Sequence, residues 1–124
     1  MKKKVSAKNA PKEIGAYSNA IKVGNMVFVS GQLPVNPETG LIPEGIQAQT
    51  MQVIENVRNI LADAGATLDN VVKTTVILSE MYLFSEMNEI YAREFKEPYP
   101  ARTKYGSKGD SAKHPHSIRC DCGA

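Results

Sequence analysis

The sequence predicts an α+β domain, a mixed sheet with two helices packed on one of its faces. Three observations lead there. Residues 19–32 carry a hairpin signature, residues 44–64 and about 83–95 carry helical periodicity, and residues 72–78 between them are dense in β-branched side chains. Strand and helix signals in this mixed order fit a sheet covered by one helical layer.

In the hairpin, Ile21 and Val23 alternate with polar neighbours. Gly24-Asn25 supplies a two-residue turn tolerant of positive φ, and Met26–Val29 resumes as strand. Gly31 is expected to end or bend that strand just after Ser30. Residues 34–43 hold three prolines and a glycine and read as an ordered loop with a turn at Pro37–Gly40. In the first helix Ile46, Met51, Ile54, Val57, Leu61 and Ala64 recur at helical spacing, while Gln47, Gln49, Gln52, Glu55, Arg58 and Asn59 occupy other faces. Gly65 is the stop, and Thr67 caps a short turn. Val72–Leu78 reads as a buried strand. In the second helix Leu83, Met87, Ile90, Tyr91 and Phe95 form the apolar stripe, and Pro98 and Pro100 prevent continuation. One helical layer leaves the other sheet face needing a partner, which points to an oligomer.

At 124 residues the chain is one domain with enough length to bury a core unaided by staples. Its apolar share of 42% and charged share of 23% place it among globular proteins rather than disordered ones. No apolar run reaches membrane-span length, and no apolar stretch follows the basic start, so a cytoplasmic protein is expected. Residues 1–103 carry eleven Lys/Arg and eleven Asp/Glu, so the whole net charge of +2 comes from residues 104–124. A neutral body weighs against nucleic acid as a partner.

Residues 104–124 differ in kind. They hold one large aliphatic residue, Ile118, no period-two pattern, and both histidines and both cysteines of the chain. Composition predicts irregular backbone there. His114-x-His116 and Cys120-x-Cys122 provide four zinc-ligand types, but such short spacings in a Gly/Ser/Lys-rich end are more often accidental, and no metal is expected.

Generic catalytic motifs are missing: there is no G-x-S-x-G elbow, Walker loop, H-E-x-x-H or dinucleotide fingerprint. With both histidines in the tail, chemistry in the body must use arginine, hydroxyls, amides, carboxylates and water. Taken one at a time, the relevant residues have bland readings. Arg102 is a surface or salt-bridging arginine, Tyr17 a packing aromatic, Ser30 a strand end, Gly31 a backbone requirement and Asn88 a solvated helix residue.

Five separated segments nevertheless occur in order: Ile14–Ala20 (IGAYSNA), Val27–Pro34 (VFVSGQLP), Gln49–Val57 (QTMQVIENV), Met87–Tyr91 (MNEIY) and Pro100–Thr103 (PART). Together they resemble the RidA/YjgF/YER057c/UK114 family, over roughly the first four-fifths of the chain. The resemblance implies a chorismate-mutase-like (YjgF-like) α+β fold, assembled as a homotrimer with active sites in the clefts between subunits. It also implies an enamine/imine deaminase that hydrolyses 2-aminoacrylate-type intermediates to 2-keto acids and ammonia without metal or organic cofactor. The family's site falls on Arg102 as carboxylate anchor and on Tyr17, Ser30, Gly31 and Asn88 as substrate contacts. A planar guanidinium suits that task because it offers a carboxylate two parallel hydrogen bonds.

The likeness defines a RidA/YjgF-like domain over residues 1–103 and an atypical segment over 104–124 that replaces the family's final strands. Ala16 stands where proline is usual, Lys104 where a small or β-branched residue is usual, and residues 105–124 contain no glutamate, whereas the family's last strand bears one that is thought to help activate water. A non-catalytic or regulatory trimer that holds small carboxylates in the same clefts is therefore the alternative reading.

Overall fold

The structure is a computed structural model and describes residues 1–106 and 118–123. Along the chain it builds β1 (Lys3–Val5), β2 (Ala20–Val23), β3 (Met26–Gln32), α1 (Ile46–Asp63), β4 (Lys73–Leu78), α2 (Phe84–Glu94), β5 (Ala101–Gly106) and β6 (Ile118–Gly123). Single 3₁₀ turns at Leu68–Asn70 and Met81–Leu83 precede β4 and α2. One mixed sheet results, in the order β1-β2-β3-β6-β4-β5. All pairs are antiparallel except β4 with β5, which α2 joins as a parallel crossover.

The hairpin forms as its sequence dictates. Gly24 takes φ 58°, which the tight turn between β2 and β3 needs. Strand β3 runs on through Gly31 to Gln32, with a register shift between Val29 and Gln32 against β6. That irregularity sets Ser30 and Gly31 apart from a plain ladder, as a bulge does. Helix α1 ends before Gly65 at φ 82°, and the Asn70 Oδ1 accepts from the Thr67 N–H to start the next turn.

Both helices cover one face of the sheet. From that side Val27, Val29, Thr74, Val76 and Leu78 meet Val53, Ile54, Val57, Ile60 and Leu61 of α1 and Met87, Ile90 and Tyr91 of α2 in one core. Strand β4 alternates, with Thr74, Val76 and Leu78 buried and Lys73, Thr75 and Ile77 on the opposite face. It is thus buried on one side, not both. The opposite face leaves Val23, Met26, Phe28 and Tyr105 exposed.

Two expectations are corrected, and one element was not foreseen. Irregular backbone does not hold over 104–106, which extends β5, or over 118–123, where β6 fills the slot between β3 and β4. Ladder hydrogen bonds use backbone groups that every non-proline residue carries, so an empty slot between two strands can order a segment of unpromising composition. His114 and His116 lie outside the described residues. Gln49, assigned to a polar helix face, is buried, and its amide donates to the Pro43 carbonyl at 3.0 Å. The lysine-rich start forms β1, a three-residue strand at the sheet's edge, where charge discourages further pairing.

Asn56 is the buried polar pin of the α1 layer. Its amide donates to the Leu33 and Val35 carbonyls at 3.1 and 3.0 Å, and its Oδ1 accepts from Gln52. Asn56→Ala removes a buried amide from two partly buried carbonyls and is expected to lower unfolding free energy by about 2–4 kcal/mol in urea melts. A second tie joins the helices: Arg58 bonds Glu55 on its own helix and donates to the Glu94 Oε1 of α2 at 2.9 Å. The Arg58 hydrogen bond, with help from Arg93, holds the Glu94 carboxyl below the usual carboxylate range. Its stabilisation is complete above the unfolded-state glutamate pKa, about 4.3, and is lost as pH falls through the lower folded value. Glu94→Gln is expected to be less stable than the parent at pH 7 and to lose less stability between pH 5 and 3 in urea midpoints.

Candidate functional site

Arg102 sits on β5 directly opposite Thr74 of β4, and Thr74 faces the helices, so Arg102 projects to the helix side. Three residues of α2 at one-turn and two-turn spacing receive it. The Asn88 Oδ1 accepts from Arg102 Nη1 at 2.8 Å. The guanidinium carbon lies 4.7 Å from the Tyr91 ring centroid and 5.3 Å from that of Phe84, a cation–π arrangement. The Tyr91 hydroxyl shares a buried 2.8 Å hydrogen bond with the Thr74 hydroxyl, and its ring stacks on Phe95. The platform beneath the arginine is therefore fixed by the core.

A cleft of about 360 Å³ opens beside it, lined by Asn88, Tyr91, Ala92, Tyr99, Pro100 and Arg102. Among the described residues no carboxylate forms an ion pair with Arg102. The bland reading of a salt-bridging arginine does not describe it. One N–H engages Asn88, and a guanidinium carries five donors, so donors remain for a planar anion.

The other site residues form a second group on the far side of the sheet. The Ser30 hydroxyl donates to the Ser18 carbonyl at 2.5 Å, and the Ser30 N–H donates to the Asn19 carbonyl at 2.8 Å. These bonds draw the loop carrying Tyr17 onto β3. Tyr17 is half exposed, and its hydroxyl accepts from the Ile14 N–H at 3.4 Å. Gly31 is exposed, and a Cβ added there would meet nothing within 4 Å. Nothing in this protomer's packing demands glycine at that position.

The structure thus joins Arg102 with Asn88, and Tyr17 with Ser30 and Gly31, but does not join the two groups. Strands β6 and β4 lie between β3 and β5, three strand spacings or roughly 14 Å. Sequence reasoning missed Phe84 and Tyr99, and read Tyr91 only as core. The signal was present: Phe84 and Tyr91 stand four before and three after Asn88, which places them on its helix face. No cluster of potential metal ligands occurs among the described residues, and no helix among them is long and apolar enough to cross a membrane.

Comparison with known proteins gives the family and the fold. The family model described as Endoribonuclease L-PSP matches residues 7–109. A RutC family protein of Pyrococcus abyssi is 53% identical over 102 residues, covering 82% of this chain and 80% of the relative. The chloroplastic Reactive Intermediate Deaminase A of Arabidopsis thaliana is 47% identical over 105 residues, covering 84% of this chain and 56% of the relative. The crystal structure of E. coli TdcF with bound serine superposes with a TM-score of 0.90 at 31% identity, covering 98% of this chain and 97% of that one. Likeness in sequence spans about four-fifths of the chain, whereas likeness in structure spans nearly all of it. The fold is that of its structural neighbours, α+β with two helices on a mixed sheet, and the chain belongs to the RidA/YjgF family, the family of the Endoribonuclease L-PSP model, which includes reactive intermediate deaminases.

Proposed function

We propose that the chain is an enamine/imine deaminase, hydrolysing 2-aminoacrylate-type intermediates to 2-keto acids and ammonia. The observation that carries this reading is the Arg102 guanidinium, held by Asn88 and Tyr91 beside an open cleft with no ion-paired carboxylate among the described residues. The substrate carboxylate takes two parallel N–H···O bonds from Arg102, which fixes the adjacent C2 imine carbon. The enamine first tautomerises, a proton moving from nitrogen to C3, to give the imine. Water adds to C2 and one of its protons passes to nitrogen, giving a carbinolamine. The hydroxyl proton then passes to nitrogen as the C–N bond breaks, releasing ammonia and leaving the keto group. The imine carbon is already electrophilic, so the reaction needs no organic cofactor to activate it. A relative with bound serine, itself a small amino acid carrying a carboxylate, supports the ligand class.

Tyr17, Ser30 and Gly31 orient substrate and water in this reading. A three-carbon acid does not span the roughly 14 Å between them and Arg102 in one protomer. A second copy therefore supplies one of the two groups, and a homotrimer brings each β3 group against a neighbour's β5 group. The exposed Val23, Met26, Phe28 and Tyr105 of the open sheet face support such an assembly, because it removes apolar surface from water. The missing glutamate in residues 105–124 favours one alternative, a trimer that binds small carboxylates in these clefts without turning them over. Losing a general acid–base group typically costs about two to four orders of magnitude in rate.

Two measurements test the reading. With 2-aminoacrylate generated in situ by a dehydratase, the protein is expected to accelerate pyruvate release. Arg102→Ala should lower kcat/KM roughly 10²-fold, with Arg102→Lys recovering little of it because lysine lacks the planar fork. Carboxylate binding by calorimetry without any acceleration would select the binding-only alternative. For the shared site, a Tyr17→Phe/Ser30→Ala chain and an Arg102→Ala chain are refolded together. The mixture is expected to exceed the mean activity of the two separate samples, and a mixture that never does so rejects a cleft built by two copies.

A further inference from the structure

Lys104 takes no part in the site described so far, yet it shares the surroundings of Arg102. The two residues are two apart on β5, so they project from the same face of the strand. Their register partners, Thr74 and Val76, are both buried against the helices, which fixes that face as the α2 side. The side chain of Phe84 then serves both cations. The Lys104 Nζ lies 3.1 Å from its ring centroid, and the Arg102 guanidinium carbon lies 5.3 Å from it. The separation of the two charges cannot exceed those distances laid end to end, which is shorter than the roughly 10 Å screening length at 0.1 M salt.

Like charges this close repel, and the usual remedy is an acidic neighbour. None is paired with either: the ion pairs among the described residues join Lys4 to Glu13, Arg58 to Glu55 and Glu94, and Arg93 to Glu94. The negative face of the Phe84 ring offsets part of the repulsion. No carboxylate among the described residues relieves the rest, and an anion from outside can. The balance of charge over residues 1–103 makes this local excess a property of β5 rather than of the whole surface.

We propose that Arg102 and Lys104 form a two-cation subsite, which gives the site a preference for acids with two carboxylates over acids with one. The proposal rests on the reading of Arg102 as carboxylate anchor and adds to it a specificity-determining residue. One carboxylate occupies the Arg102 fork, and the second, on the substrate side chain, meets the Lys104 ammonium past the Phe84 ring. Lys104 is exposed, so its share is that of a solvent-accessible ion pair, about fivefold in affinity at most and weakened by salt.

The test compares 2-oxoglutarate with 2-oxobutyrate by calorimetry on the full chain at low salt, as stable stand-ins for the corresponding imines. The wild type is expected to bind the dicarboxylate about three- to fivefold more tightly, with the ratio falling towards one at 0.5 M salt. Lys104→Met keeps an unbranched stem over Phe84 and is expected to bring the ratio close to one at low salt. Equal affinity in the wild type, or a preference that survives in Lys104→Met, overturns the two-cation subsite and leaves the Arg102 reading standing. Binding of neither acid, or binding unchanged in Arg102→Ala, overturns the carboxylate site itself and this proposal with it.

Discussion

Strands β3 and β4 each offer a row of backbone donors and acceptors to the space between them, and β6 alone occupies that space. Without it the sheet would part into a β1-β2-β3 half and a β4-β5 half, each presenting an inner edge beneath α1. Buried backbone groups left unpaired are costly, about 1–3 kcal/mol apiece, and several would be stranded at once. The six-residue ladder that β6 makes with β4 therefore holds the two halves of the molecule in one register. It also sets the spacing on which function depends, because the Ser30–Gly31 bulge lies on one side of β6 and Arg102 on the other.

From that frame the arginine's setting follows step by step. Pairing with β4 puts Arg102 opposite Thr74, whose hydroxyl ties down Tyr91 from below. Helix α2 crosses over the same strands, so Asn88 and Phe84 arrive at the guanidinium from the helix that already carries Tyr91. A long side chain that would lose much rotamer entropy on binding is thus partly ordered beforehand. The tie from Arg58 to Glu94 fixes the far end of α2 against α1. Packing of the core and orientation of the anchor are in this sense one arrangement.

Much of this was legible in the residues. The hairpin turn at Gly24, both helices, their glycine and proline stops and the β-branched run were readable because each rests on short-range rules. The five segments of family likeness picked out Arg102 and Asn88, which prove to be hydrogen-bonded to each other. What escaped was non-local. Gln49 and Asn56 are polar residues buried for carbonyls of the 33–43 loop, and no helical periodicity reveals a loop that will need donors. Strand β6 escaped for the same reason, since the order comes from its neighbours' edges and not from its own composition. Tyr91 read only as core because an aromatic on an apolar stripe looks the same whether its ring meets a methyl group or a guanidinium, and Phe84, one position beyond that stripe, was passed over.

Strand β5 is an edge of the sheet, and edges invite unwanted pairing unless charge or shape prevents it. Arg102 and Lys104 meet that need simply by being cations on a short strand. The bland view of Arg102 as a surface charge and the functional view of it as an anchor are then two descriptions of the same placement. An edge strand is where an arginine can have its stem packed on aromatic rings and its fork open to solvent. A central strand would bury the fork and demand a carboxylate partner from within the chain. The cost of using an edge is that only one wall of a cleft is built. Hydroxyls and the open glycine backbone stand three strands away, and the bare face of the sheet lies between the two groups. An edge-borne anchor, a distant polar group and an uncovered apolar sheet face make sense together when a neighbouring copy of the chain closes the cleft.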